Sequence, residues 1–328
     1  MPPRHVVFGG LRIDYLISAE GEVTLGQCGG NALYAAAGAA LWSDAVGVVS
    51  RAGTNYPFGW LAAFEAAGVD TSGVQRLPFD AEMRTFFAHA PGGDRVEGDP
   101  AAHFARLGRP VPNDLQTYHQ PTADEADAAY AALRIQPDDV PPAFRRADGY
   151  HLAPMSYASQ LALVEALRGW GAPLITADPG EAWMTPQRRD DVAQILRHID
   201  VFLPSEMEVA TLLGAMPVTD AARWFADHGP RVVVIKRGAA GSLIYETATR
   251  RFTPVPIYPA QVRDVTGAGD AFCGAFLVGY ARAGDALAAA RRGAVAASLV
   301  VEGIGAPYAL SVPPYEATTR LRWMDAGE

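Results

Sequence analysis

The residues best suited to chemistry fall together late in the chain, in Asp264-Val265-Thr266-Gly267-Ala268-Gly269-Asp270. The run follows a strand-like segment and opens a helix whose apolar face is Phe272, Phe276, Leu277 and Tyr280, with Gly274 and Ala275 allowing close packing. Gly267 and Gly269 lack side chains, so main-chain N–H groups there can point at a ligand, and a helix start adds partial positive charge. Such a place suits a phosphate, or the charge that develops on a moving phosphoryl group. Asp270 beside it can accept the proton of an attacking hydroxyl. Four residues, Gly-Ala-Gly-Asp, would equally describe an ordinary glycine turn before a helix. The nine-residue context 264–272 favours the functional reading.

Two further segments bear on a phosphate ligand. Residues 232–242 read as a strand, a turn containing Gly238 and Gly241, and a second strand, with Lys236 at the strand end where it can meet a phosphate. A plain hairpin with a solvated Lys-Arg pair is the competing reading. Ser205 and Glu208 follow another strand at the spacing of a capping box, serine at the N-cap and glutamate at N3. The same Glu208 can organise magnesium through water. Other chemistries find no motif: there is no Walker P-loop, no Gly-x-Gly-x-x-Gly at the first helix, no His-Glu-x-x-His and no Gly-x-Ser-x-Gly.

The late run resembles the signature of the ribokinase-like, or PfkB, family of carbohydrate kinases, which reads Asp-Thr-x-Gly-Ala-Gly-Asp, with Val265 here in the threonine place. The resemblance implies that Asp270 is the catalytic base and that the amides of Gly267, Ala268 and Gly269 form an anion hole. It places ATP along Lys236, Gly238 and Gly241, with Ser205 also at the nucleotide. Glu208 stands at the last position of an Asn-x-x-Glu pattern tied to magnesium, with Ser205 in the asparagine place. Asp264 and the Thr266 carbonyl match positions that hold a potassium-like ion in many relatives, the rest of that site coming from around 303–305. At the N-terminal end, Asp14 stands five residues after Gly9, where the family grips sugar hydroxyls. A carboxylate accepting two hydroxyl hydrogen bonds reads a polyol well. Arg12 replaces an asparagine and is available to an anionic substrate group or to solvent. Gly29, Gly30 and Asn31 match the early family motif, and Leu33 falls where relatives commonly carry asparagine. The implied activity is transfer of the γ-phosphoryl group of ATP, with magnesium, to a hydroxyl of a sugar or sugar-like molecule. Alternatives are a nucleoside kinase of the same fold, with Phe86, Phe87, Tyr15 or Tyr118 stacking a base, and a non-catalytic sugar- or nucleoside-binding protein.

These groups need a scaffold, and the pattern supplies one. Strand candidates at 6–9, 45–49, 149–153, 174–177, 201–203, 232–236 and 242–245 alternate with helix candidates at 31–42, 59–67, 157–170, 186–198, 205–213, 221–228, 270–282 and 285–301. Alternation of this kind predicts a three-layer α/β/α sandwich around a mostly parallel sheet, with ligands outside the carboxyl ends of the strands. One kinase domain over 1–328 is expected, with segments 15–27 and 83–96 forming a small β lid that is a dimer surface in many relatives. A helix at 123–133 is expected within the Pro- and Asp-rich stretch 99–142, and Asp178 is expected to cap a helix. At 49% hydrophobic and 19% charged residues the chain is not disordered. Its two cysteines exclude a disulfide framework and point to a reducing, cytoplasmic setting. A net charge of -9 gives no support for binding nucleic acid. No apolar run approaches the ~18 residues of a membrane span, and no secretory signal is read at the start.

Overall fold

The strands of this computed structural model, which describes residues 1–89, 95–122, 125 and 128–327, are β1 (His5–Phe8), β2 (Arg12–Ile17), β3 (Val23–Gly29), β4 (Val46–Ala52), β5 (Val69–Arg76), β6 (Arg84–His89) and β7 (Arg95–Glu97). They continue with β8 (Gly149–Leu152), β9 (Ile175–Ala177), β10 (Val201–Phe202), β11 (Val232–Lys236), β12 (Ser242–Glu246) and β13 (Arg251–Val255). Nine of them form one sheet in the order β13-β12-β11-β10-β9-β8-β1-β4-β5. From β11 across to β5 every neighbouring pair is parallel, and β12 and β13 add an antiparallel edge.

Successive side chains of a strand point to opposite faces, so the apolar runs are buried on both sides. Val233 and Ile235 of β11 join a core with Leu163, Ile195, Leu212 and Phe225 from the helices Tyr157–Gly169, Arg189–Leu196, Glu206–Leu213 and Val218–Ala226. Val232 and Val234 face the other way, onto Phe272, Phe276 and Leu277 of the helix Ala268–Ala283 and Leu299 of the helix Ala286–Val300. The sandwich expected from the sequence is therefore present. Small residues set its tightest joint. A Cβ on Gly274 would lie 1.8 Å from the Ala35 carbonyl, so the helix Asn31–Ala40 packs backbone to backbone against Ala268–Ala283.

The strands β5 and β13 were not expected. Both are edge strands whose exposed faces carry polar residues, which erases the apolar run. The late run does not follow a strand directly, because residues 256–263 are irregular after β13, and its helix starts at Ala268 rather than 270. Of the helix expected at 123–133, residues 123, 124, 126 and 127 lie outside the described ones, and Ala131–Leu133 is a single 3-10 turn.

The other four strands form a separate sheet, β3-β2-β6-β7, in which β2 pairs parallel with β6. It takes in the described parts of 15–27 and 83–96, starts earlier, at Arg12, and runs on to Gly29; residues 90–94 lie outside the described ones.

Candidate active site

At the carboxyl ends of the parallel strands the late run makes a sharp entry into its helix. Gly267 is the N-cap, at φ 75. A side chain is excluded there twice over, by the left-handed backbone and by the Tyr34 ring, which would lie 2.1 Å from a Cβ. No side chain caps this helix. Ala268 donates to the Val265 carbonyl at 3.3 Å and Ala271 to the Gly267 carbonyl at 2.9 Å, while the Gly267 and Gly269 amides meet no acceptor among the described residues. Unsatisfied first-turn donors of this kind are what binds anions at helix starts. Asp270 stands in the same turn, half-buried.

The open side of Gly269 faces Lys236, whose Nζ would lie 3.6 Å from a Cβ there. Lys236 ends β11, and its amide donates to the Pro204 carbonyl at 2.9 Å. Its ammonium donates to Asp178 Oδ2 and lies 3.6 Å from Cys273 Sγ. Burial opposes the lysine's charge, but Asp178, Cys273 and Glu208 outweigh it and hold the group above the ordinary lysine value. Asp178 thus does not cap a helix as expected; it ends a strand turned inward, and only a 3-10 turn, Glu181–Trp183, capped by Gly180, follows. Its Oδ1 is buried without a hydrogen-bond partner among the described residues.

Ser205 runs beside Lys236 and forms the capping box: Glu208 N donates to Ser205 Oγ at 3.2 Å, and Ser205 N donates to Glu208 Oε2 at 2.6 Å. Glu208 also feels Asp178 and Lys236. Burial first, then Asp178, push its carboxyl up to about 7 against the pull of Lys236 and Ser205. Gly238 and Gly241 shape the turn after Lys236. Gly238 borders open space, whereas the Val255 carbonyl would lie 2.1 Å from a Cβ on Gly241, which ties that glycine to the approach of β13.

Just before this turn, Asp264 Oδ1 accepts from Thr266 N at 3.0 Å and from Thr266 Oγ1 at 2.7 Å. His89 Nε2, from β6 of the small sheet, lies 3.3 Å from the same oxygen, within ion-pair reach but off the line of a hydrogen bond. Burial would raise the Asp264 carboxyl; His89 and Thr266 outweigh it and keep it below its usual value.

The residues expected at the acceptor lie where the small sheet meets the strand ends. Asp14 of β2 is 4% exposed. Its carboxylate occupies the space of the side chain that Gly29 lacks: Oδ2 would lie 1.7 Å from a Cβ. Gly30 holds φ 98 against the Gly10 carbonyl. Asn31 accepts from the Gly10 amide at 2.7 Å and donates to the Pro154 carbonyl at 2.6 Å, so its amide staples the ends of β1 and β8. Arg12 lies over the Tyr130 ring at 4.4 Å and donates to the Glu82 carbonyl at 3.2 Å. Leu33 is fully buried in the core. The next residue, Tyr34, turns toward the site: Asp14, Asp264 and Asp270 all act on its phenol, and with burial as the leading cause they raise it well above its usual value. The aromatic side chains weighed as base-stacking groups are packed inside: Phe86, Phe87, Tyr15 and Tyr118 are each under 9% exposed.

The structure thus brings Asp14, Tyr34, Asp264 and the Gly267–Asp270 turn into one neighbourhood, joined through Gly269 to Lys236, Asp178 and Glu208. Sequence reasoning missed Asp178, Tyr34 and His89 as members of it. Each occupies a strand or helix position whose direction only long-range pairing fixes, although Asp178 did stand at a strand end, the place where such folds bind ligands.

A parallel sheet carrying at its strand ends an amide-rich helix start, a carboxylate beside it and a buried ammonium defines the layout of an α/β phosphotransferase. Comparison with known proteins gives the family. A family model described as pfkB family carbohydrate kinase matches residues 170–312. A cytidine kinase of Thermococcus kodakarensis is 32% identical over 281 residues, 84% of this chain and 88% of that protein. A fructokinase of Klebsiella pneumoniae is 28% identical over 86% of this chain and 87% of its own. Among solved structures, the fold matches a nucleoside kinase of Methanocaldococcus jannaschii (TM-score 0.70, 18% identity, 98% and 99% of the two chains). It also matches an Arabidopsis thaliana ribokinase complexed with ribose and ATP (TM-score 0.69, 21% identity, 98% and 99%). The chain belongs to the pfkB family of carbohydrate kinases, as a sugar or nucleoside kinase.

Proposed function

We propose that this kinase transfers the γ-phosphoryl group of ATP to a hydroxyl of a sugar or sugar-like small molecule, with Asp270 as general base and the amides of Gly267, Ala268 and Gly269 as the anion hole. The observation that carries the reading is the uncapped start of the Ala268–Ala283 helix. It combines two amides without acceptors among the described residues, a carboxylate in the first turn and a lysine at its open edge. Phosphoryl transfer asks mainly for positioning and charge stabilisation, and these groups supply both.

In this mechanism Asp14 accepts hydrogen bonds from acceptor hydroxyls, and Gly29, Gly30 and Asn31 shape the floor beneath them. Arg12, engaged with Tyr130 and Glu82, borders this space. Asp270 takes the proton of the attacking hydroxyl as the phosphoryl group moves in line. The amides of the hole neutralise charge on the moving group. Lys236 meets the phosphates from the edge of Gly269, held there by Asp178, and Ser205, Gly238 and Gly241 border the nucleotide. The small sheet is the lid of this single domain, and its outer face serves a homodimer.

The residues present fit magnesium, which would screen the phosphates of ATP when bound. Glu208 and the buried, unpartnered Asp178 Oδ1 are hard carboxylate ligands of the kind that ion takes through water. Potassium fits the Asp264 carboxylate less well, because its Oδ1 already accepts from Thr266 N and Oγ1 and faces His89 Nε2.

A nucleoside acceptor is the second reading, favoured by the likeness to a cytidine kinase across 84% of the chain. A panel of sugars and nucleosides assayed for ADP release and phosphorylated product tests both. Product from at least one member, abolished in Asp270→Asn, is expected. Acceptor-dependent product formation that Asp270→Asn leaves intact would overturn the roles given to the turn.

A further inference from the structure

We propose that His89 is a positioning residue that holds the Asp264–Thr266 turn in the place of a monovalent cation, so that phosphoryl transfer by this chain does not need potassium. The proposal rests on the reading of Gly267–Asp270 as the anion hole, because what His89 steadies is the turn leading into it.

Three observations converge on this. First, His89 is nearly enclosed, at 8% side-chain exposure, and neither of its ring nitrogens has an aligned hydrogen-bond partner among the described residues. An imidazole kept dry without such partners is costly unless it faces a complementary charge. That charge is Asp264 Oδ1, 3.3 Å from Nε2, with the carboxylate 3% exposed.

Second, the surroundings of Asp264 are those of an anion already served. Its Oδ1 takes both Thr266 donors. Two carbonyls of the adjoining loop are also in use: Val301 accepts from Arg263 and Asp264, and Gly305 accepts from Tyr308. Acceptors that already hold protein donors bind a cation less readily, and the His89 ring edge, 3.3 Å from Asp264 Oδ1, takes the place such an ion would need beside that oxygen.

Third, His89 comes from elsewhere in the fold. It ends β6, next to β2, whose Asp14 is the acceptor carboxylate of the proposed mechanism. The small sheet therefore reaches both the acceptor and the turn before the anion hole. A solvent ion would steady the turn whatever the small sheet does; a side chain on that sheet makes the anion hole depend on its seating.

The test compares the wild type with His89→Ala and His89→Gln in KCl and in tetramethylammonium chloride at equal ionic strength. It reads melting temperature and single-turnover phosphoryl transfer to the best acceptor of the panel. The wild type should transfer at the same rate in both salts, within about twofold, and show the same melting temperature. His89→Ala should lose about 10–100-fold of its transfer rate in tetramethylammonium, the range seen when a supporting partner is removed, and recover in KCl. KCl should raise its melting temperature and leave that of the wild type unchanged. His89→Gln, which keeps an N–H, should stay near the wild type in both salts, and it decides the matter should the alanine variant fail to fold. A wild type that needs potassium, or a His89→Ala variant with unchanged transfer, overturns the proposal. Asp270→Asn run alongside separates the two layers. Its retained turnover would refute the anion-hole reading, while the salt dependence of melting still reports on His89.

Discussion

The two ends of the site are built from different materials. At the proposed phosphate end, main-chain geometry does the positioning: a left-handed glycine, a helix start without a side-chain cap, and a lysine fixed by a buried carboxylate at the end of β11. At the acceptor end, side chains from several segments do it. Asp14 fits into the space left by Gly29, Asn31 staples two strand ends, and Arg12 lies on Tyr130. Backbone amides read only charge and shape, so one arrangement serves any phosphoryl transfer. Side-chain hydrogen bonds read hydroxyl patterns, so the proposed roles assign substrate identity to the second end.

This contrast can be broken by experiment. The largest effect belongs to Asp270: its change to asparagine should cut turnover by about 10²–10⁴-fold, the usual worth of a positioned base. At the opposite end Asp14→Asn should raise the KM for the acceptor by about 10–100-fold and leave the KM for ATP unchanged, as expected when a buried acceptor of hydroxyl hydrogen bonds is weakened. An equal rise for ATP would erase the division between the two ends. Lys236→Met strands Asp178 as a buried, uncompensated charge and should cost about 3–5 kcal/mol of stability by denaturant unfolding. Pairing it with Asp178→Asn should restore much of that loss, and no recovery would mean the two side chains act separately.

The smallest effect is the pH dependence set by Glu208. Its folded-state value, about 7, lies above the ordinary carboxylate value of 4.5. Between those values the folded state keeps a proton that the unfolded chain has lost, so this contribution to stability is full below pH 4.5 and falls as pH rises to about 7. Glu208→Gln should flatten that decline in melting temperature. A variant with the same slope as the wild type would remove Glu208 as its source.

The same contrast explains what could be read from the sequence. The late run was legible because its glycines and aspartate are contiguous and act through their own backbone, and seven inner strands were visible as apolar runs buried on both faces. The edge strands β5 and β13 were hidden because only two of eight and one of five of their residues are buried. Asp178 looked like a helix cap because its partner is 58 residues away. Tyr34 was passed over for Leu33 because one position along a helix decides between core and site, and the helix Asn31–Ala40 is apolar almost all round. His89 carried no local signal, since its meaning comes from the register of β6 against β2.

The most direct measurement of the central claim is rapid-quench single-turnover transfer by Asp270→Asn, with ATP affinity measured on the same preparation. Asp270→Asn should bind ATP as tightly as the wild type and transfer at least about 10²-fold more slowly. Transfer at the wild-type rate with both substrates bound would contradict that claim.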